Sequence, residues 1–105
     1  MIIMGIDPGF AITGYGIIEK TRDKNKIIDY GIIQTSSSEQ FCNRIKTNHE
    51  ELNKLIKKFK PDIVHSTGMY TGIIVLLIKK ISKRKFKTLL TLRHTATHFR
   101  FHLFG

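Results

Sequence analysis

Three apolar segments, separated by polar residues, open the chain. Met1–Ile6, Thr13–Glu19 and Ile27–Gln34 have the lengths and the β-branched content of strands, and Thr21–Lys26 between the last two is polar. Consecutive strands with short connections usually pair as neighbours, so the pattern predicts an antiparallel meander. Four glycines inside these strands indicate bulges or close approach to the backbone, at positions 5, 14, 16 and 31.

An amphipathic helix follows the third predicted strand. Ser36 and Glu39 have the spacing of a capping box, and Pro61 ends the helical pattern. Asp62–Val64 then begins a fourth strand, which can pair parallel to the first through a right-handed crossover. The order predicted is therefore β-β-β-α-β, with the fourth strand adjacent to the first. The apolar residues assigned to one helical face are Phe41, Ile45, Leu52, Leu55, Ile56 and Phe59.

Positive charge is concentrated in the second part of the chain. The 105 residues include 18 Lys and Arg against 8 Asp and Glu, a net charge of +10, which favours a polyanionic partner such as nucleic acid. Residues 1–64 hold 10 basic and 8 acidic side chains, whereas residues 65–105 hold 8 basic and none acidic. Asp62 is the last carboxylate side chain in the sequence.

Cysteine content and apolar run length favour a soluble cytoplasmic protein. Cys42 is the single cysteine, which excludes an intramolecular disulfide and a cysteine metal site. The longest apolar run, Ile73–Ile78, is far shorter than the roughly 20 residues of a membrane-spanning helix. We therefore expect no membrane partner.

Three stretches resemble one enzyme family. GIDPGFAITGYGIIE, then IIDYGIIQTS, then the amphipathic helix ending in KKFKPDIV resemble the RuvC family of Holliday-junction resolvases, whose fold is ribonuclease-H-like. The resemblance covers residues 1–64. It implies an Mg²⁺-dependent endonuclease that acts as a dimer and nicks four-way DNA junctions in recombination and repair. Asp7 matches the first catalytic, metal-binding aspartate of the family, although Asp-Pro-Gly in isolation would suggest a turn.

The resemblance also predicts what the site lacks. Family members place a glutamate beside the first aspartate, and the ungapped equivalent here is Thr67. A hydroxyl is a weaker, neutral ligand, so we expect the chain not to cleave. The abrupt loss of similarity favours two parts: the N-terminal part of a ribonuclease-H-like domain at 1–66, and a truncated or degenerate, divergent basic tail at 67–105 from a frameshifted or degenerate gene.

The tail contains further candidate residues. Ile73–Lys87 fits a helix or a strand nearly equally. Tyr70 occupies a position where the family tends to place an aromatic residue, suited either to stacking on an unpaired base or to packing. His94, His98 and His102 would align on a helix and could bind a transition metal, or recur by chance. Six basic residues would contact phosphates or form a solvated face: Lys79, Lys80, Lys83, Arg84, Lys85 and Lys87.

Two other functions compete with junction resolution. One is a non-enzymatic, basic DNA-binding remnant that retains half of the fold. The other is a related ribonuclease-H-like nuclease that processes RNA. Equal affinity for junction and linear duplex would favour the first, and preference for RNA would favour the second.

Overall fold

One mixed sheet and two helices account for the described residues of the computed structural model, which are 1–8, 11–36, 38–82, 85–93 and 98–103. The sheet has six strands in the order β3-β2-β1-β4-β5-β6. The elements are β1 (Ile2–Pro8), β2 (Ile12–Lys20), β3 (Asn25–Gln34), α1 (Phe41–Phe59), β4 (Ile63–Thr67), α2 (Met69–Ser82), β5 (Lys87–Arg93) and β6 (His98–Leu103).

The predicted N-terminal meander is confirmed. β1 pairs antiparallel with β2, and β2 pairs antiparallel with β3, with a bulge where the register shifts between Ile17 and Ile18. The connection between β2 and β3 is a hydrogen-bonded turn, in which the Thr21 N–H donates to the Lys24 carbonyl at 2.9 Å. β1 is longer than its apolar run predicted, because Asp7 and Pro8 still pair with β2.

The helix forms as predicted, but its start differs from the prediction. The predicted capping box at Ser36 is wrong: the N-cap is Gln40, whose carbonyl accepts the Asn43 N–H, and its side chain makes no cap hydrogen bond. The Ser36 carbonyl instead accepts the Glu39 N–H at 3.1 Å, which closes a turn before the helix. Phe41, assigned to the buried face, is 60% exposed: it is the first residue of α1, and its ring lies against that of Tyr70 in α2.

The crossover predicted from the helix is also confirmed. β4 pairs parallel with β1, with Ile3 opposite Ile63 and Ile6 opposite Ser66. The side chain of Asp62 strengthens this junction, since its carboxylate accepts the Ile2 N–H at 2.7 Å. The fold class expected from the resemblance therefore holds for the first four strands and α1.

Both helices pack on one face of the sheet. Met4, Ile17 and Val64 from the sheet and Leu52 and Ile56 from α1 are fully buried there. α2 adds its own buried residues to the same core, which are Ile74, Val75 and Ile78. Because side chains alternate along a strand, Asp7 and its neighbours of the same parity lie on the opposite face.

The second part of the chain extends the same sheet. Of the two alternatives for the segment after Ile73, the helix is the one that forms, as α2. β5 then pairs parallel with β4, and β6 pairs antiparallel with β5. His98 and His102 lie in strand β6, so the helical alignment of three histidines is wrong over those two positions, and His94 lies outside the described residues.

The expected boundary after residue 66 falls within β4, and the sheet continues across it. Lys83 and Arg84, two of the six basic candidates, also lie outside the described residues. Neither described helix is both long and apolar enough to span a bilayer.

Candidate active site

Asp7 is a strand residue. It pairs with Gly14 of β2, and the next residue, Pro8, pairs with Thr13, so the strand continues past the carboxylate. Its neighbour Ile6 is buried in the core, which directs the exposed Asp7 side chain to the face opposite the helices. The position is one at which a carboxylate can meet a ligand from solvent.

A shallow depression of about 440 Å³ surrounds Asp7 on this face. Gly5 and Gly16 face each other across β1 and β2 in its floor, and a Cβ atom at either position would meet no atom within 4 Å. Neither has a positive φ, since Gly68 is the one described glycine that does. Neither backbone conformation nor packing therefore requires glycine here, and the bare backbone permits close approach of a ligand. The lining residues are Gly5, Ile6, Asp7, Gly14, Tyr15, Gly16, Gly31, His65 and Thr67.

Thr67 lies beside Asp7. Ile6 pairs with Ser66, Asp7 and Thr67 are the next residues of β1 and β4, and both line the depression. The position expected for a second carboxylate therefore holds a neutral hydroxyl. Among the described residues that line the depression, Asp7 is the single acidic side chain.

The donor set around Asp7 holds less negative charge than the carboxylate cluster that the resemblance implies. This ion takes oxygen ligands in near-octahedral geometry and usually binds through one or two carboxylates together with substrate phosphates. Within the part of the chain that the structure describes, no group of three or more His, Cys, Asp or Glu side chains is placed to hold a metal ion. Among the described lining residues, the possible oxygen ligands from side chains near Asp7 are thus one carboxylate and the Thr67 hydroxyl, which is fewer charged ligands than the carboxylate cluster that the resemblance implies.

His65 is a lining residue whose position the sequence did not reveal. Its Nε2 atom lies 2.6 Å from the Thr91 hydroxyl of β5, so a side-chain hydrogen bond links β4 and β5 at this point. The sequence favoured a strand-end position for His65, but His65 is the central residue of β4. Its local sequence gives no signal of this contact, because Thr91 is 26 positions away. The imidazole and Thr67 thus define the β4 side of the depression.

Tyr70 lies at the same end of the sheet, in the first turn of α2. Its hydroxyl accepts a hydrogen bond from the Asn48 amide nitrogen at 3.2 Å, and its ring centroid is 5.8 Å from that of Phe41. The Arg44 guanidinium lies 5.9 Å from the Phe41 ring centroid. The exposed Phe41 ring and the cation beside it were not identified from the sequence, where Phe41 belonged to the helical apolar face.

Four of the six basic candidates lie among the described residues, at the other end of the sheet. Lys87 opens β5 opposite Ile63, and the parallel strands place that end roughly 13 Å from Thr67, at about 3.3 Å per residue. Lys80 and Lys85 are exposed nearby. Burial lowers the pKa of Lys79, whose ammonium lies 5.3 Å from the Phe86 ring centroid. The described lysines and Asp7 therefore do not form one cluster.

The amino-acid sequence of this chain matches one known protein family and several of its members. The family described as "Crossover junction endodeoxyribonuclease RuvC" matches residues 3–101, beyond the 64 residues of the resemblance seen in the sequence. The protein of that name from Ruminiclostridium cellulolyticum is 52% identical over 64 residues, covering 61% of this chain and 39% of the relative. The protein of the same name from Alkaliphilus oremlandii is 48% identical over 81 residues, which cover 71% of this chain and 49% of the relative.

The fold has a counterpart among solved structures. The structure described as "T. thermophilus RuvC in complex with Holliday junction substrate" is 18% identical, with a TM-score of 0.75, over 89% of this chain and 66% of that one. This likeness confirms the ribonuclease-H-like fold class. The matched part of this chain spans between two fifths and one half of the length of the two bacterial relatives above.

Proposed function

Because the chain belongs to the RuvC family of crossover junction endodeoxyribonucleases, we propose that it binds four-way DNA junctions and does not cut them. The observation that carries this proposal is the hydroxyl of Thr67 next to the carboxylate of Asp7. In this proposal the chain acts on cytoplasmic DNA during recombination or repair.

The absence of cleavage follows from the charge of the donor set. Clustered carboxylates are what the resemblance implies for holding Mg²⁺, which would supply an activated water and neutralise charge on the scissile phosphate. In this chain Asp7 contributes one negative charge to the depression, and Thr67 contributes none. Asp7 can orient a water molecule, but it cannot supply both functions alone.

Binding would use both ends of the sheet. At the Asp7 end, the glycine floor lets a sugar-phosphate backbone come close, and the exposed Phe41 ring offers a surface for an unpaired base. At the other end, Lys80, Lys85 and Lys87 would contact phosphates.

A competition gel shift tests the proposal. Labelled four-way junction is bound, and unlabelled junction, linear duplex or RNA of equal length is added as competitor. We expect the junction to compete best. Equal competition by linear duplex would support the non-enzymatic DNA-binding remnant instead, and stronger competition by RNA would support an RNA-processing relative.

Two double variants locate the phosphate contacts. Lys80→Ala with Lys85→Ala should weaken binding and reduce the slope of log affinity against log salt by about 2, since each lost phosphate contact contributes roughly 0.9. Lys24→Ala with Lys57→Ala removes the same charge from exposed positions elsewhere and should leave that slope nearly unchanged. Equal slopes for both double variants would contradict the assigned surface.

A further inference from the structure

Four isoleucines lie side by side across four strands of the sheet. Ile3 of β1 pairs with Ile18 of β2 on one side and with Ile63 of β4 on the other. Ile18 in turn pairs with Ile27 of β3. Residues that pair directly across strands point to the same face of a sheet. Because Met4, next to Ile3, is buried against the helices, these four side chains, here called the isoleucine row, lie on the opposite face, here called the open face.

The open face is apolar and exposed beyond this row as well. Ile27 is 68% exposed, and the other three members of the row are half-buried. Tyr30 and Ile32, which are 76% and 60% exposed, lie on the same face, since the β2 residues that pair with them have the parity of Ile18. Neither described helix covers these side chains, because both helices pack on the other face. A contiguous apolar surface of this kind marks an interaction site.

The directions of the strands indicate a helical occupant. β4 pairs parallel with β1 on one side and with β5 on the other. Parallel strands almost always lie in sheets that have helices on both faces. In the part of the chain that the structure describes, helices cover one face. The isoleucine row lies on the flat of the sheet and not along an edge, so a layer of helix suits it and an added strand does not.

The relatives contain about as much chain again as they share with this one. The 81 residues matched in the Alkaliphilus oremlandii relative are 49% of that protein, and the common fold covers 66% of the solved T. thermophilus chain. The described residues here form two helices, both on the other face, so a helix for the open face comes from additional polypeptide. A second copy of this chain would bring together two net charges of +10, which repel.

We propose that the open face binds an amphipathic α-helix of a separate polypeptide, whose leucine, isoleucine or valine side chains pack on the isoleucine row and form a second helical layer. Ile3 is four residues from Asp7, which is about 13 Å along β1. Docking on the row and DNA contact beside Asp7 therefore use different parts of the face. The proposal does not depend on DNA binding, and its test uses proteins alone.

Co-expression tests the proposal. The probe is the part of the Alkaliphilus oremlandii relative outside the 81 matched residues, produced as a separate chain together with the tagged 105-residue chain. We expect the two to copurify at a ratio of one to one. Ile18→Thr with Ile27→Lys should reduce the recovered probe by about tenfold or more, since burial of one isoleucine side chain changes affinity by about that factor.

Ile73→Thr with Ile81→Lys is the matched control. It makes the same two exchanges at apolar positions of α2, and Ile81 has the same 68% exposure as Ile27. This variant should recover the probe as well as the wild type does. Circular dichroism checks that both double variants fold.

Isoleucine methyl resonances locate the contact in the unmodified chain. The signals of the isoleucine row should shift when the complex forms, and that of Ile73 should not. A probe that does not copurify would overturn the proposal, as would a complex that survives Ile18→Thr with Ile27→Lys or that the α2 control disrupts as strongly. A chain that dimerises alone through the row, measured by sedimentation equilibrium, would show that a second copy covers the open face and would also overturn it.

Discussion

Replacing Thr67 with Glu should strengthen the binding of a divalent cation beside Asp7. Thr67 is adjacent to Asp7 on the neighbouring parallel strand, and both side chains line the open depression. A glutamate there places a second carboxylate beside the first, with the glycine floor below both. The fold has room for the change because this face of the sheet is open to solvent.

The magnitude follows from the exposure of the site. Asp7 is exposed, so the dielectric constant of water applies, and two unit charges 4 Å apart then interact by about 1 kcal/mol. A divalent ion gains about 2 kcal/mol from one additional carboxylate, which corresponds to roughly 30-fold tighter binding. Repulsion between the two carboxylates, about 1 kcal/mol by the same relation, should lower the stability of the metal-free variant.

Nuclear magnetic resonance titration with Mg²⁺, followed through the backbone amides of Asp7 and residue 67, measures the affinity. Thr67→Gln is the matched control, since it has the size of Glu without the charge. We expect Thr67→Glu to bind roughly 30-fold more tightly than wild type and Thr67→Gln to bind like wild type. Equal affinities for the Glu and Gln variants would refute the reasoning that a missing charge at position 67 prevents metal binding.

Two further predictions concern the meander. Gly31→Ala should destabilise the protein by about 1 kcal/mol or more, because a Cβ atom there would lie 2.8 Å from the Tyr15 hydroxyl oxygen. Gly16→Ala is the control: a Cβ atom at Gly16 meets nothing within 4 Å, so this variant should be neutral or stabilising in thermal unfolding. The opposite order of stabilities would contradict the packing described. Desolvation, with Asp29 adding to it by its charge and its hydrogen bond, raises the pKa of Tyr15 above the usual 10.0. The contribution of neutral Tyr15 to the stability of the fold is therefore complete below pH 10 and is lost as the pH rises through the folded-state pKa. Asp29→Asn should shift the tyrosinate absorbance titration of Tyr15 to lower pH. An unchanged titration would show that Asp29 has no effect on this pKa.

The first half of the fold follows from local patterns. Apolar runs of strand length, broken by the polar turn at Thr21–Lys26, specify β1 to β3, and Pro61 ends α1 at a point from which the chain can cross back to β1. Each of these patterns extends over a few neighbouring residues, so it can be recognised in the amino-acid sequence alone. The parallel direction of β4 against β1, seen in the pairing of Ile63 with Ile3, follows from the connection through a helix.

Long-range contacts set the features that the sequence did not reveal. The cap at Gln40 and the exposed position of Phe41 depend on how the start of α1 meets α2, where the Phe41 and Tyr70 rings are in contact. α2 was ambiguous because its β-branched residues suit a strand as well as a helix, and burial of Ile74 and Ile78 against the sheet decides the outcome.

The residues of the candidate site also include some that local sequence identifies and some that only long-range pairing places. Asp7 was identifiable because its motif is local, and the adjacent position of Thr67 follows from strand register. The contact between His65 and Thr91 was not predictable, because it requires β5 to pair beside β4. Whether residues 67–105 arose from a frameshift stays a prediction, which the nucleotide sequence around codons 60–75 would test.

Cleavage of a four-way junction is the measurement that tests the central claim most directly. Purified wild type and Asp7→Asn are incubated with labelled junction and Mg²⁺ at a salt concentration at which both bind. We predict that neither protein nicks the DNA, because a single carboxylate beside the Thr67 hydroxyl does not hold the metal that hydrolysis needs. Symmetric nicks made by wild type and lost in Asp7→Asn would contradict the account of the site.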